Sequence, residues 1–340
     1  MTRRTQALAL GAAALAGVAL WRHAQARAAE RANPPKGRFI TVDGVRMHVL
    51  ERGPRDAPPV VVLHGNGATV EDIESSGLLD RLVRDHRVVV FDRPGFGHTR
   101  RPRLRLFDAV RQAGLVADAC AMLGLERPVV VGHSWGALTA AALGVTRPEA
   151  AGALALLSGY YFPTPRSDVV LFSLPAVPVA GDLFRYTLGP TLSAALEPLL
   201  LRRIYEPQPV PERFMREYPH PLAYRPSQIR AASEDTVLMI PSAAAIADRY
   251  HEIAVPTLIM AGDEDRIVTT EEQSVPLARE IAGSRLRVLP GLGHMIHHFA
   301  TEEIAEGIAG LVGEIADEPV LSTRGAATAA VAHAHAVQDR

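Results

Sequence analysis

Between Phe39 and Leu311 short unbroken apolar runs alternate with stretches whose apolar residues recur every three or four positions. Phe39-Ile40-Thr41-Val42 and Val45 to Leu50 flank Asp43-Gly44, which predicts two strands joined by a two-residue turn. Pro59 to Leu63, Val88 to Phe91, Val129 to Val131 and Ala153 to Leu157 lack polar alternation, as strands covered on both faces do. Val70 to Arg84 carries Ile73, Leu78, Leu79 and Leu82 at helical spacing. Leu106 to Leu123 does the same with Val110, Ala113, Ala117, Cys120 and Leu123. The rhythm breaks at Tyr160. From there to about Tyr250 the chain is rich in proline and bulky apolar residues, with Leu192 to Ile204 helical. Alternation then resumes with strands at Pro256–Ala261 and Leu286–Leu289, and Thr301 caps a closing helix with Ile304, Ile308 and Leu311 inward. This order predicts an α/β fold, a mainly parallel sheet flanked by helices and entered through an antiparallel hairpin.

The pattern divides the chain into five parts: an N-terminal segment and linker (1–33), a first core part (34–160), a helical insertion (161–250), a second core part (251–316) and an Ala-rich, disordered tail (317–340). The tail holds His333 and His335, two histidines too isolated to define a metal site. In the N-terminal segment Arg3 and Arg4 precede an uncharged run from Ala7 to Trp21. Ala24-Gln25-Ala26 and Ala26-Arg27-Ala28 follow, in the order of a secretory signal with a cleavage site. The run is shorter than the roughly 20 residues that span a bilayer, and Arg22, Arg27 and Arg31 beyond it suit a short anchor equally well. Export or membrane tethering through residues 7–21 is the expectation.

Nearly half of the 340 residues are apolar, enough for one large domain with an insertion. A formal charge of −1 and the lack of a basic run interleaved with aromatics argue against nucleic acid as a partner. The single cysteine, Cys120, has no partner for an internal disulfide and falls on the apolar face of a predicted helix, as a core residue would.

The chemistry centres on Gly132-His133-Ser134-Trp135-Gly136, between the Val129–Val131 strand and the helix that starts after it. Two glycines allow a turn sharp enough to lift a serine out of the sheet, and the helix N-terminus directs free N–H groups at developing negative charge. A serine hydroxyl becomes a nucleophile when a base takes its proton and a third group orients that base. Sites in parallel sheets gather at strand carboxyl ends. After the last two strands lie Gly262-Asp263-Glu264-Asp265, with three competing carboxylates, and Gly291-Leu292-Gly293-His294, a flexible loop bearing an imidazole. His297 and His298 are rivals expected to start the next helix and point elsewhere. His64 and Asp92 are read as loop holders through side-chain-to-backbone bonds, and His133 as packed. Leu171, Phe172, Leu174, Leu183, Phe184, Leu199 and Leu200 form either the core of the insertion or an acyl-binding wall, core being the default.

The order Ser, Asp, His is that of the α/β-hydrolase fold. The chain resembles that superfamily over about Arg38 to Val312, through His64-Gly65-Asn66-Gly67, Asp92-Arg93-Pro94-Gly95-Phe96-Gly97, the Ser134 turn, Gly262 to Val268 and Gly293-His294. The resemblance implies an α/β-hydrolase fold with a cap over Tyr160–Tyr250. It implies Ser134 as nucleophile, His294 as base, Asp265 as orienting acid, and the amides of Asn66 and Trp135 as oxyanion hole. The Asn66 side chain either reaches the substrate or bonds its own loop, and Trp135 is a candidate pocket-lining residue. Ser134 stands where dehalogenases and epoxide hydrolases of this superfamily carry Asp, which argues against both. The leading expectation is a cofactor-free serine hydrolase of small, fairly apolar carboxylic esters or lactones. A carbon–carbon bond hydrolase of vinylogous diketones ranks second, a cofactor-free perhydrolase third, and a non-catalytic ligand-binding protein is the reading from another class.

Overall fold

The computed structural model of the protein describes residues 2–317. The histidines at 333 and 335, and all of the predicted tail after its first residue, lie outside them. Eight strands form one sheet: β1 (Arg38–Val42), β2 (Val45–Arg52), β3 (Pro59–Leu63), β4 (Arg87–Phe91), β5 (Val129–His133), β6 (Ala153–Leu157), β7 (Thr257–Gly262) and β8 (Arg285–Leu289), in the order β1-β2-β4-β3-β5-β6-β7-β8. β1 and β2 are antiparallel, β2 joins β4 antiparallel, and every later pairing is parallel. The hairpin turns at Asp43 (φ 46°) and Gly44 (φ 72°), the pair of positive φ values that a tight two-residue turn demands.

The helices are α1 (Arg3–Ala32), α2 (Val70–Ser76), α3 (Leu78–Leu82), α4 (Ala109–Met122), α5 (Trp135–Thr146), α6 (Ser167–Phe172), α7 (Ala180–Arg185), α8 (Gly189–Tyr205), α9 (Glu212–Glu217), α10 (His220–Ala223), α11 (Pro226–Ala244), α12 (Ser274–Glu280) and α13 (Thr301–Asp317). Successive valines of the central strands point to opposite sides. Val61, Val89 and Val130 pack with α4 and α5, while Val60, Val62, Val88, Val90, Val129 and Val131 pack with α2, α3 and α13. Burying each such valine stabilises the fold by about 1.5–3 kcal/mol.

Four sequence expectations need correction. The single helix expected over Val70–Arg84 is two, because Gly77 adopts a left-handed φ of 84° and breaks it. The helix expected from Leu106 begins at Ala109, where Asp108 accepts the Arg111 amide as N-cap. The residues expected as insertion core split. Leu171, Leu174, Leu183 and Leu199 are exposed, while Phe172, Phe184 and Leu200 are half-buried. The linker expected within 1–33 is nearly absent, since α1 runs from Arg3 to Ala32.

What docks the segment between β6 and β7 on the core is a buried ionic knot. Asp235 on α11 is fully buried, and its Oδ2 accepts from Arg93 Nη1 at 2.7 Å while Oδ1 accepts from Arg101 Nη1 at 2.7 Å. Arg93 also donates to the backbone oxygens of His64 (2.8 Å) and Gly65 (3.0 Å), so one guanidinium joins the loops after β3 and β4 to α11. Glu234, half-buried, pairs with Arg101 at 2.6 Å. Removing one partner from a buried network leaves the others charged in a poor solvent for charge. Asp235→Ala is therefore expected to lower stability by about 3–5 kcal/mol in urea unfolding. Glu234→Ala, which keeps the inner pairs, should cost clearly less.

Candidate active site

The strand β5 ends and α5 begins with one residue between them, Ser134, at φ 54° and ψ −116°. That conformation costs a non-glycine residue of order 1–3 kcal/mol. Close backbone approach enforces it. A Cβ at Gly136 would stand 2.2 Å from the Leu63 oxygen, and one at Gly132 would stand 2.3 Å from the Gly136 oxygen. Glycine at both positions lets α5 press against the end of β3, and the Ser134 amide is tied to the Leu157 oxygen on β6 at 2.9 Å.

The hydroxyl so raised meets two other side chains. Ser134 Oγ lies 3.0 Å from His294 Nε2, and His294 Nδ1 lies 2.7 Å from Asp265 Oδ2. The carboxylate leaves Nδ1 as the protonated nitrogen and Nε2 free to accept the serine proton. The other Asp265 oxygen accepts the amides of Ile267 and Val268, both at 2.9 Å, which fixes the carboxylate in its loop. Asp265 is thus the carboxylate, of three neighbours, that reaches the imidazole. Asp263 accepts the Gly291 amide at 2.6 Å and Glu264 pairs with Arg266 at 3.4 Å. The histidine loop also closes on the acid loop through backbone: the Glu264 amide donates to the Leu292 oxygen at 2.9 Å, and a Cβ at Gly262 would strike that oxygen at 2.0 Å.

Trp135 is the first residue of α5 and Asn66 lies in the loop after β3. Among the described residues neither backbone amide has an acceptor in the protein. The Asn66 side chain donates to the Ala232 oxygen (3.1 Å) and Thr236 Oγ1 (3.0 Å), so its two N–H groups hold α11. Trp135 is buried, and its indole donates to the Asp235 oxygen at 2.9 Å. Its side chain is therefore a strut under α11. His64 and Asp92 hold loops: His64 Nε2 accepts the Arg93 amide, and Asp92 accepts the amides of Val70 and His98. Asp92 also receives the buried His48 ring at 2.7 Å, a partner with no sequence signal.

A second polar node lies behind the imidazole loop. His297 and His298 form a short 3-10 turn before α13, and each places Nε2 against the buried Asp72 of α2, at 3.0 and 2.9 Å. Burial works against ionisation of Asp72, yet these two rings hold its carboxyl well below the usual range. Tyr205 on α8 reaches His298 at 3.1 Å, and His133, buried under the turn, bonds the His294 oxygen at 3.1 Å. Burial, with the neighbouring rings, keeps His133 far below the ordinary histidine value. Cys120 is buried, which pushes its thiol up to about 12.

A family model for the alpha/beta hydrolase fold matches residues 58–301. The chain belongs to that family and is a hydrolase. It is 27% identical over 271 residues to a 2-hydroxy-6-oxo-2,4-heptadienoate hydrolase of Pseudomonas putida, covering 78% of this chain and 91% of that one. Two solved structures share the fold. A membrane phospholipase A has a TM-score of 0.62 and 24% identity, covering 93% of this chain and 100% of that one. The enol-lactonase of Burkholderia xenovorans has a TM-score of 0.66 and 19% identity, covering 81% and 100%.

The site also sets an acid limit. Burial and the Arg93 charge lower His64 from 6.5 to about 4, and His133 and His297 shift the same way. A histidine depressed in the folded state takes up its proton more readily when unfolded, so stability rises with pH between the two values. Urea midpoints should therefore fall as the pH drops from 6.5 towards 4. His64→Asn should flatten that slope even if its absolute stability is lower.

Proposed function

We propose that the protein is a serine hydrolase of small, fairly apolar carboxylic esters or lactones. The observation that carries the reading is the two-bond chain Ser134–His294–Asp265, at 3.0 and 2.7 Å. Ser134 Oγ forms a bond to the carbonyl carbon while its proton passes to His294 Nε2. Asp265 stabilises the imidazolium, and the amides of Asn66 and Trp135 receive the oxyanion. Collapse breaks the ester C–O bond and His294 returns the proton to the departing alkoxide. Water, deprotonated by His294, then hydrolyses the acyl-enzyme and restores Ser134. Losing one oxyanion donor typically costs about 3 kcal/mol of transition-state stabilisation. Residues 161–250 act as the cap, with 34–160 and 251–316 as the core.

Carbon–carbon bond hydrolysis is the second reading, favoured by the Pseudomonas putida relative. The buried charges near the nucleophile weigh against it. A dienoate substrate carries a carboxylate that needs a cation, and Arg93 and Arg101 are already engaged by Asp235, Glu234 and backbone oxygens. A neutral acyl group needs no such partner.

The N-terminal helix is read as a retained anchor. It is one helix from Arg3 to Ala32, which by length and composition is enough to cross a membrane. Its last third is bonded to the insertion: Arg22 Nε donates to the Thr187 oxygen at 3.2 Å, Glu30 pairs with Arg225 at 3.0 Å, and Ala29 is buried. Cleavage at either alanine motif would cut this docked stretch, so retention suits the fold better.

A fluorophosphonate probe is expected to label the wild type at Ser134 and to leave Ser134→Ala unlabelled. Asp265→Asn should lower kcat on p-nitrophenyl butyrate by about 10⁴, with KM little changed, because the wrong imidazole nitrogen would carry the proton. Turnover of 2-hydroxy-6-oxohepta-2,4-dienoate faster than of esters and lactones would replace the ester reading with the carbon–carbon one. Tight binding without turnover of either would replace it with a ligand-binding role.

A further inference from the structure

The cap segment from Val170 to Leu199 contradicts ordinary solvent exposure. Val170 is 78% exposed, Leu171 73%, Val179 80% and Leu188 69%, although their neighbours α6, α7 and α8 fold back on α11. The ion pair Arg103–Asp182, 2.8 Å, brings a further loop alongside, and that loop carries Leu104 at 99% exposure. A water-facing surface rarely gathers so many large apolar side chains without a use.

Their place relative to α1 says what covers them. The run from Arg3 to Trp21 rises about 28 Å at 1.5 Å per residue, against about 30 Å of hydrocarbon in a bilayer. The long side chains of Arg3 and Arg4 can reach out to the far interface. At the other end Trp21 is half-exposed with the Arg22 guanidinium 4.4 Å from its ring, a pairing suited to the membrane–water boundary. Arg22 is the residue that bonds Thr187 and Thr191, on either side of Leu188 and the start of α8. The level at which the anchor leaves the membrane is therefore the level of the exposed apolar corner.

We propose that the cap docks on the lipid surface through the corner formed by Val179, Leu183 and Leu188, with Val170, Leu171 and Leu104 beside it. This rests on the anchor reading of α1 and is independent of the chemistry at Ser134. The corner dips its apolar side chains into the headgroup boundary while the exposed Arg27 faces the phosphates. The cap is thus held against the leaflet at two points, the α1 helix and the α7–α8 corner, and the anchor serves to orient the hydrolase as well as to tether it.

The test uses the full chain in vesicles of phosphatidylcholine and phosphatidylglycerol. An NBD fluorophore is placed on a single introduced thiol: Val179→Cys, Leu183→Cys, Ala13→Cys within α1, or Val288→Cys on the exposed edge strand β8. Buried Cys120 is left in place and excluded from labelling by its environment. The expected result is a blue shift, with loss of emission when doxyl-labelled lipid is included, at 179, 183 and 13 and not at 288. Loss at 13 but not at 179 and 183 overturns the docking and leaves the anchor standing. A blue shift at 179 and 183 without doxyl quenching marks contact with another copy of the chain and also overturns it. Equal quenching at all four positions overturns the assignment of this face, and quenching at none overturns the docking together with the anchor. Fluorophosphonate labelling of each variant reports on Ser134 separately.

Discussion

The contact of helix α5 with the end of β3 sets the geometry of the whole upper rim. With no side chain at Gly136, the α5 backbone comes so near the Leu63 oxygen that a single added carbon would overlap it. Two backbones at that distance allow few ways to connect β5 to α5. The one adopted leaves Ser134 at positive φ and drives its hydroxyl upward. The strain at one residue is small beside what holds it. Every residue of α5 from Trp135 to Val145 is buried, so relaxing the turn would withdraw a whole helix from the core. The Asp265 and His294 loops repeat the device, with Gly262 against Leu292. Backbone-to-backbone contacts carry no rotamer freedom, and they place Ser134, Asp265 and His294 more firmly than side-chain packing would.

Around this rim sit two buried polar nodes of different make. On one side Asp235 gathers Arg93 and Arg101 and thereby links α11, the loop after β4 and the loop after β3. On the other, Asp72 gathers His297 and His298, linking α2, the turn beyond His294 and, through Tyr205, α8. Neither node needs to add much net stability, since ions lose hydration when buried. What each does is penalise any arrangement in which its members part, because a lone charge or carboxylate would then remain in the interior. Apolar packing of α11 and α8 on the core would permit sliding. The nodes do not, and the amides beside Ser134 inherit that fixity.

The parts of this arrangement legible in the sequence are those with local causes. Strands showed through runs such as Val60-Val61-Val62, the hairpin through Asp43-Gly44, and the serine turn through glycines whose spacing already implied a missing Cβ. The broken helix at Gly77 and the late start at Ala109 had local signals too, a Ser-Ser-Gly step and an Asp at the N-cap, which a continuous apolar stripe masked. The nodes had none. Asp235 lies 142 residues from Arg93 and Asp72 lies 225 from His297, and a carboxylate on a helix carries no local mark of a distant partner. The same limit explains the misplaced insertion core. A leucine buried against a neighbour and a leucine facing outward have the same immediate sequence, and only the packing of α6 and α7 on α11 decides between them.

That packing also makes the two halves of the insertion mechanically unequal. The half from α9 to α11 is fastened by buried ions and by Arg225, whose guanidinium joins Glu30 of α1, the Gly97 oxygen and Gln228. The half from α6 to α7 buries little beyond Gly181 and Arg185 among the residues described. Local opening is cheapest where few apolar contacts are lost. A path to Ser134 that required α11 to lift would break the Asp235 knot, and one through the α6–α7 half would not. A route to Ser134 through the α6–α7 half would therefore cost less than one through α11, and that is also the half whose apolar side chains face outward.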